Sequence, residues 1–160
     1  MTEKSIYLLN FLAIAGTGMN AGVFMAFSTF VMPALARLEA ANGINTMQSI
    51  NITVITPLFM AILFGTALLC AAIRVHAWRN WENSQSTTLL MAAGLYLIGT
   101  IAVTMFANVP LNDQLAGLDQ NSNQSAIFWR DFLTRWMWWN HIRGLASAAA
   151  CFLFIRTISS

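Results

Sequence analysis

Charged side chains are rare in this sequence. Only 9% of its 160 residues are charged, as 8 Lys+Arg and 6 Asp+Glu, while 58% are hydrophobic. A soluble domain usually carries about 25% charged residues, so these few charges cannot solvate the whole surface. Lipid must therefore surround much of the protein. The net charge of +2 and the lack of a basic run give no reason to expect a nucleic-acid partner.

Sequence motifs for metal or nucleotide chemistry are also missing. Cys70 and Cys151 lie in apolar stretches at a spacing that matches no zinc or redox motif, which is typical of buried packing cysteines. The chain has no HExxH, no CxxC, no carboxylate cluster and no glycine-rich phosphate loop. His76 and His141 are expected on opposite membrane faces, so they cannot pair as haem ligands. We expect no metal site and no bound cofactor.

Long apolar runs dominate the chain. A helix needs roughly 20 apolar residues to cross a bilayer, and four stretches reach or approach that length. The predicted spans cover residues 6–35, 56–73, 89–107 and 138–155. Lys4 precedes the first span as in a signal peptide, but the apolar pattern runs too far for a cleavable core, which favours a retained helix. We predict one all-α domain over residues 1–160, a four-helix transmembrane bundle.

Four spans place both ends of the chain on one membrane face. The basic residues are almost balanced between the two faces, so the positive-inside rule discriminates weakly. His76-Ala77-Trp78-Arg79 is interpreted as part of a short loop on the face of the termini, where the rule counts most. We therefore expect both termini in the cytoplasm.

The connection between the third and fourth spans, residues 108–135, is unusually long for a compact bundle. Apolar residues recur at helical spacing near Leu111 and again over residues 125–137, where the pattern is amphipathic. The second helix either runs straight into the fourth span or lies in the interface and bends. In both cases a partly helical loop caps one membrane face.

Polar residues collect on that same face. Gln48 and Asn51 precede the second span, and Asn112 and Asp113 follow the third. The stretch RWMWWNHIRG, residues 135–144, opens the fourth span. Any functional site is therefore expected at this end of the bundle.

The spacing inside that stretch places four side chains on one face of a helix. Trp136, Trp139, Asn140 and Arg143 stand at i, i+3, i+4 and i+7. An interfacial tryptophan belt with an outward-reaching arginine leaves Asn140 and Arg143 unexplained, because a charged residue inside a span usually faces the bundle. Two interpretations stay open for Arg143. One is a structural contact with Asp113, Asn112 or Asp131, and the other is contact with a ligand.

Small residues in the first span predict close helix packing. Gly18 and Gly22 form a GxxxG pair, which suits packing within one chain and also association of two copies. Asn20 lies near the middle of the span and is expected to face the bundle, where it needs a polar partner. It could stabilise the helices or form the floor of a pocket.

These motifs together resemble the anthrone oxygenase family. The pattern consists of GVF (22–24), PAL (33–35), MQSIN (47–51), VPLN (109–112) and WxxWNxxR (136–143). The resemblance covers nearly the whole chain, and the last element is its most specific part. It implies a small four-helix membrane protein, and since many members are bacterial, we expect the inner membrane of a bacterium.

The resemblance also implies an activity. Fungal members are associated with oxidation of anthrones to anthraquinones by dioxygen, without an established cofactor. The positions that match the motif, and that it implies as site residues, are Asn112, Trp139, Asn140 and Arg143.

The residue types suit such a reaction. Arg143 and Asn140 could stabilise a developing oxyanion, and Trp136 and Trp139 could line a flat aromatic slot. Asp113 or His141 could accept the proton. The further candidates for substrate binding are Gln48, Asn51 and Asn20. The alternative is a non-catalytic membrane protein that binds a quinone, a lipid or a partner protein through the same residues.

Overall fold

The computed structural model describes residues 3–120 and 122–159, without the side chains of residues 3, 123 and 159. Within these ranges the chain forms five helices and no strand. Four of the helices are long and apolar enough to cross a membrane. The predicted all-α bundle of four transmembrane helices is therefore confirmed, and the chain is an integral membrane protein.

The helices are named α1 to α5 in chain order. Helix α1 comprises Glu3–Ala26, Phe27–Val31 and Met32–Leu35; α2 is Ala40–Thr53; α3 is Pro57–Arg79; α4 comprises Ser86–Gly94, Leu95–Ala102, Thr104–Asn108 and Val109–Ala116; α5 is Asn123–Ser159. Three of these segments are π-helical, namely Phe27–Val31, Leu95–Ala102 and Thr104–Asn108.

Helix α3 begins where its sequence signals place it. The Thr56 hydroxyl accepts a hydrogen bond from the Phe59 backbone N–H at 3.2 Å, and Pro57 occupies the first turn. The prediction of a loop at residues 76–79 is wrong, because α3 continues to Arg79. The apolar run ends before that point, but Ala77 is fully buried and basic side chains are favourable in a last helical turn.

The helical parts predicted within the connection at residues 108–135 are confirmed, but the non-helical part is shorter than expected. Helix α4 continues to Ala116 and α5 starts at Asn123, which leaves a connection of residues 117–122. Residues 125–137 and 138–155 lie in one continuous helix of 37 residues, about 55 Å long, so the first of the two alternatives holds. Helix α2 was not predicted.

The buried core consists of two apolar clusters. The cluster near the termini contains Ala13, Cys70, Ile73, Ala77, Leu89, Ala92, Ala93, Tyr96, Ala150 and Phe154. The second, here called the cap cluster, contains Met32, Leu35, Ile44, Met47, Leu111, Leu115, Trp129, Phe132 and Trp136. Between them lies a polar layer of buried side chains, formed by Thr17, Asn20, Thr66, Thr100, Asn140, Arg143 and Ser147.

The outer surface changes character along the bundle. Around the cap cluster the exposed residues are largely polar, such as Asn42 and Asn45 on α2 and Arg130 and Arg135 on α5. Towards the termini the exposed side chains of the spans are largely apolar. Because α5 is much longer than the hydrocarbon core of about 30 Å, we place the cap cluster at or beyond one membrane surface.

Candidate functional site

A cavity of about 580 Å³ lies beside the polar layer, at the level where α3 begins. Before Pro57 only the shorter α2 and a brief linker occupy this part of the bundle, so the helices leave space between them. The volume falls within the range of about 300–1,000 Å³ that is usual for pockets of small-molecule ligands.

Seven of the nine predicted site residues line this one cavity. They are Gln48, Asn51, Asn112, Asp113, Trp136, Asn140 and Arg143. They come from α2, α4 and α5, and α1 and α3 supply apolar wall. Their shared position is a fact of the structure, and their roles remain predictions.

Arg143 is the central polar group of the cavity. Its side chain is almost fully buried, with 7% exposure. Its Nη2 donates to Asn140 Oδ1 at 2.7 Å and its Nη1 to Thr104 Oγ1 at 3.4 Å. The guanidinium carbon lies 4.4 Å from the ring centre of Phe24 and 5.2 Å from that of Trp136, within range of cation–π attraction.

Asn140 connects α5 to α1 while it orients Arg143. Its Nδ2 donates to the Phe24 carbonyl at 2.8 Å and to Ser28 Oγ at 2.7 Å, which leaves Oδ1 to accept from Arg143. Ser28 lies in the π-helical segment of α1. Such segments are often found at functional sites, and this one brings a serine hydroxyl to the asparagine.

The structural ion pair considered for Arg143 does not form. Asp131 instead pairs with Arg135 at 3.1 Å on the exposed surface of α5. No carboxylate of the described residues lies within 4.0 Å of the Arg143 guanidinium, and its Nε has no hydrogen-bond partner among them. Within the described part of the chain, the guanidinium thus lies beside the cavity without a negative charge in contact.

Two further contacts shape the wall on the cap side. Trp136 Nε1 donates to Asn112 Oδ1 at 2.8 Å, which fixes the indole between α4 and α5. Gln48 Nε2 donates to the Leu115 carbonyl at 2.8 Å and ties α2 to the end of α4, where carbonyls lack partners within the helix. Asn51 Nδ2 is buried and has no partner among the described residues.

Two predicted site residues lie elsewhere. Trp139 does not line the cavity and is 39% exposed. At 3.6 residues per turn it points about 60° to one side of Trp136, whereas Asn140 and Arg143 stay within about 40° of it. Asn20 is buried in the polar layer, and its Nδ2 donates to the Gly16 carbonyl of its own helix at 2.8 Å.

His141, the alternative proton acceptor, also lies outside the cavity. Its ring is exposed and meets Trp138 edge to face, with the ring centres 6.4 Å apart. Asp113 is exposed but lines the cavity rim.

Several contacts of the site were not predicted. Phe24, Ser28 and Thr104 hold Arg143 and Asn140, and the apolar wall of α3 is formed by Phe59, Met60, Leu63 and Phe64. Phe24 belongs to the GVF element of the family pattern, which is the one signal in the sequence for it. No sequence signal distinguishes Ser28 or Thr104 from the many other hydroxyl residues of the spans.

Fold and site define a small membrane protein of four transmembrane helices with a buried arginine at the wall of an apolar cavity. The sequence model of the anthrone oxygenase family matches residues 56–153, more than half of the chain, and the protein belongs to that family. The match covers α3, α4 and most of α5, including Asn112, Asn140 and Arg143. Comparison with curated proteins and with solved structures gives no significant match.

Proposed function

We propose that this protein is a membrane-embedded oxygenase that oxidises a lipophilic, anthrone-like aromatic compound with dioxygen. The observation that carries the proposal is the buried Arg143, which borders an apolar cavity and has no carboxylate partner among the described residues. Such a guanidinium favours a ligand on which negative charge is present or develops. Membership of the family supports the class of reaction.

The cavity suits a flat aromatic compound with an oxygen at one end. Phe59 and Phe64 on α3 and Trp136 on α5 provide apolar and aromatic wall. The oxygen would lie against Arg143, which Asn140 holds in place through the 2.7 Å hydrogen bond. In a site shielded from water these donors act more strongly than in solution.

The chemistry follows from the substrate. An anthrone has a CH₂ group conjugated with its carbonyl, so loss of one C–H proton puts negative charge on the carbonyl oxygen. The resulting anion transfers its electron pair to dioxygen and forms a carbon–oxygen bond to a peroxide. Loss of the second C–H hydrogen and cleavage of the O–O bond release water and leave a new carbonyl. One CH₂ and one O₂ thus become one C=O and one H₂O.

In this proposal Asp113 accepts the first proton, because it lines the cavity rim and His141 does not. A general base must be within hydrogen-bond reach of the proton it removes. Dioxygen is the co-substrate, and the proposal includes no cofactor and no metal.

We propose the inner membrane of a bacterium as the setting, with both termini in the cytoplasm. Lipophilic polycyclic compounds partition into bilayers, which gives a physical reason for placing the site in a membrane protein.

The test is oxygen uptake by the purified protein with anthrone itself, with wild type compared with Arg143→Ala and Arg143→Met. The methionine variant keeps most of the side-chain volume and removes the charge. Loss of a group that stabilises a developing oxyanion typically costs a factor of about 10²–10³ in turnover, and we expect that loss in both variants. Arg135→Ala is the matched control, since Arg135 is exposed and outside the cavity.

Anthrones oxidise slowly without a catalyst, so only the rate above background counts. A wild-type rate no higher than the uncatalysed background would overturn the oxygenase proposal, and equal rates above background for wild type and both variants would overturn the role of Arg143. In the first case the same residues would be read as a binding site for a quinone, a lipid or a partner protein, the rival function predicted from the sequence.

A further inference from the structure

One side of the cavity wall is exposed and entirely apolar. Ile52, Ile55, Phe64, Met105 and Val109 all line the cavity, and all five have exposed side chains. They are here called the lateral opening. Exposure of such an apolar patch to water would be unfavourable, whereas in a bilayer the patch contacts hydrocarbon chains.

The lateral opening lies at the depth of the hydrocarbon. Helix α3 has 23 residues, about 35 Å, which matches the hydrocarbon core, and Phe64 is about 10 Å from its start. The neighbouring residue of Met105, Phe106, is 83% exposed and must face lipid. The non-helical linker that holds Ile55 immediately precedes α3, at the end of the opening nearest the membrane surface.

A second rim of the cavity faces the aqueous side of the cap. It carries Asp113 and Ala116, both exposed on the last turns of α4. The cavity therefore has an apolar rim towards lipid and a polar rim towards water, with Arg143 buried in its wall.

We propose that the ligand enters from the hydrocarbon phase through the lateral opening. It is a membrane-dissolved amphiphile whose ionisable oxygen moves towards Arg143 while its apolar body stays between α3 and α4. The buried guanidinium, which no described carboxylate contacts, selects the oxygen, and the apolar rim selects the apolar body. The inference deepens the proposed function. The identity of the reaction rests on that proposal, whereas the route of binding does not depend on it.

The experiment measures binding in proteoliposomes without oxygen. The probe is 1-hydroxyanthraquinone, which dissolves in the bilayer and carries an ionisable oxygen, and its own visible emission is followed after rapid mixing. A sulfonated hydroxyanthraquinone, confined to water, is the comparison probe. Met105→Trp narrows the lateral opening, Ala116→Trp narrows the aqueous rim, and Phe106→Trp adds the same bulk to a lipid-facing position outside the cavity.

Association rates of variants of one site usually differ by about one to three powers of ten, and we expect Met105→Trp to slow binding roughly tenfold. Phe106→Trp is expected to bind at the wild-type rate, and Ala116→Trp to slow binding less than Met105→Trp does. The wild-type rate should follow the amount of probe per lipid, and the sulfonated probe should bind much more slowly.

Three results would overturn the lateral route. They are slower binding in Ala116→Trp with Met105→Trp unchanged, equal binding of the sulfonated probe, and no binding of either probe to the wild type. Because the measurement needs no turnover, failure of the oxygen-uptake test with the expected binding pattern would remove the oxygenase proposal and leave the route intact.

Discussion

No carboxylate pairs with Arg143 in the described part of the chain, and three kinds of contact stabilise it inside the bundle. Asn140 and Thr104 accept its hydrogen bonds, the rings of Phe24 and Trp136 flank it, and the cavity leaves one side open. A charged residue in a membrane span usually pairs with another polar group or faces a cavity, and Arg143 faces a cavity.

The two tryptophans of the WxxW element give a prediction at this scale. Trp136 is 4% exposed and lines the cavity, while Trp139 is outside it. Trp136→Phe removes the 2.8 Å hydrogen bond to Asn112 and part of the wall. Because the hydrogen bond joins two protein groups, its loss acts by releasing the indole from its position, and we expect kcat/KM in oxygen uptake to fall about tenfold; a misplacement of about 1 Å in an active site can cost a factor of about 10².

Trp139→Phe serves as the matched control and should keep the wild-type kcat/KM. Equal losses in the two variants would mean that Trp139 reaches the substrate, contrary to its position in this structure.

Helical periodicity alone was enough to bring Trp136, Asn140 and Arg143 to one face. The same periodicity failed for Trp139, because a position at the edge of a stripe is assigned inside or outside only by the neighbouring helices. Phe24 and Thr104 could not be predicted as partners, since their register depends on the packing of α1 and α4 against α5.

At the scale of the helices, close packing of α4 and α5 depends on Gly99. A Cβ added there would overlap with the Cβ of Ala146, an atom fixed to the backbone of α5. Gly18 packs against Cys151 Sγ of α5, and a Cβ there would lie 3.5 Å from it. A Cβ at Gly22 would meet nothing within 4 Å among the described residues, so this part of α1 is open and association of two copies through it stays a proposal.

Gly99→Ala and Gly22→Ala form a matched pair. Extra volume in a packed core costs about 1–3 kcal/mol, so Gly99→Ala should clearly lower the Tm of the protein in detergent. Gly22→Ala should leave the Tm unchanged or raise it slightly, because alanine is the better helix former. The reverse order of the two Tm values would contradict the packing of α4 on α5 described here.

The apolar runs predicted the four spans but not α2. Its sequence is polar on the exposed face and buries Gly43, Ile44 and Met47 on the other. This apolar pattern is too short to identify a helix among the polar residues around it. Helix α2 is stabilised by tertiary packing, because Ile44 and Met47 are buried in the cap cluster.

On the scale of the whole molecule, the two ends of the bundle differ in their exposed side chains. These are largely apolar towards the termini and largely polar at the cap. The turn at residues 80–85 and the cap must lie on opposite sides of the membrane, since α3 and α4 each cross it. Charge only weakly determines which of these two sides is the cytoplasmic one, because basic residues occur at both ends of the bundle.

Cysteine labelling tests the orientation. Glu82 and Gln114 are both exposed, the first in the turn after α3 and the second near the end of α4. With cytoplasmic termini, a membrane-impermeant maleimide should label Gln114→Cys in intact cells and Glu82→Cys only after permeabilisation. The native Cys70 is buried and Cys151 is partly buried between helices, so the unsubstituted protein provides the background. The opposite labelling pattern would reverse the orientation.

The sequence by itself determined that this is a four-span helical membrane protein and that its polar residues gather at one end. Those properties depend on local apolar length and on a periodicity that each helix carries alone. Only the tertiary structure decided that Arg143 has no carboxylate partner among the described residues, that Trp139 lies outside the cavity, and that one side of the cavity wall is exposed and apolar. These are relations between helices, and they depend on where α3 begins and on the π-helical register of α1 and α4.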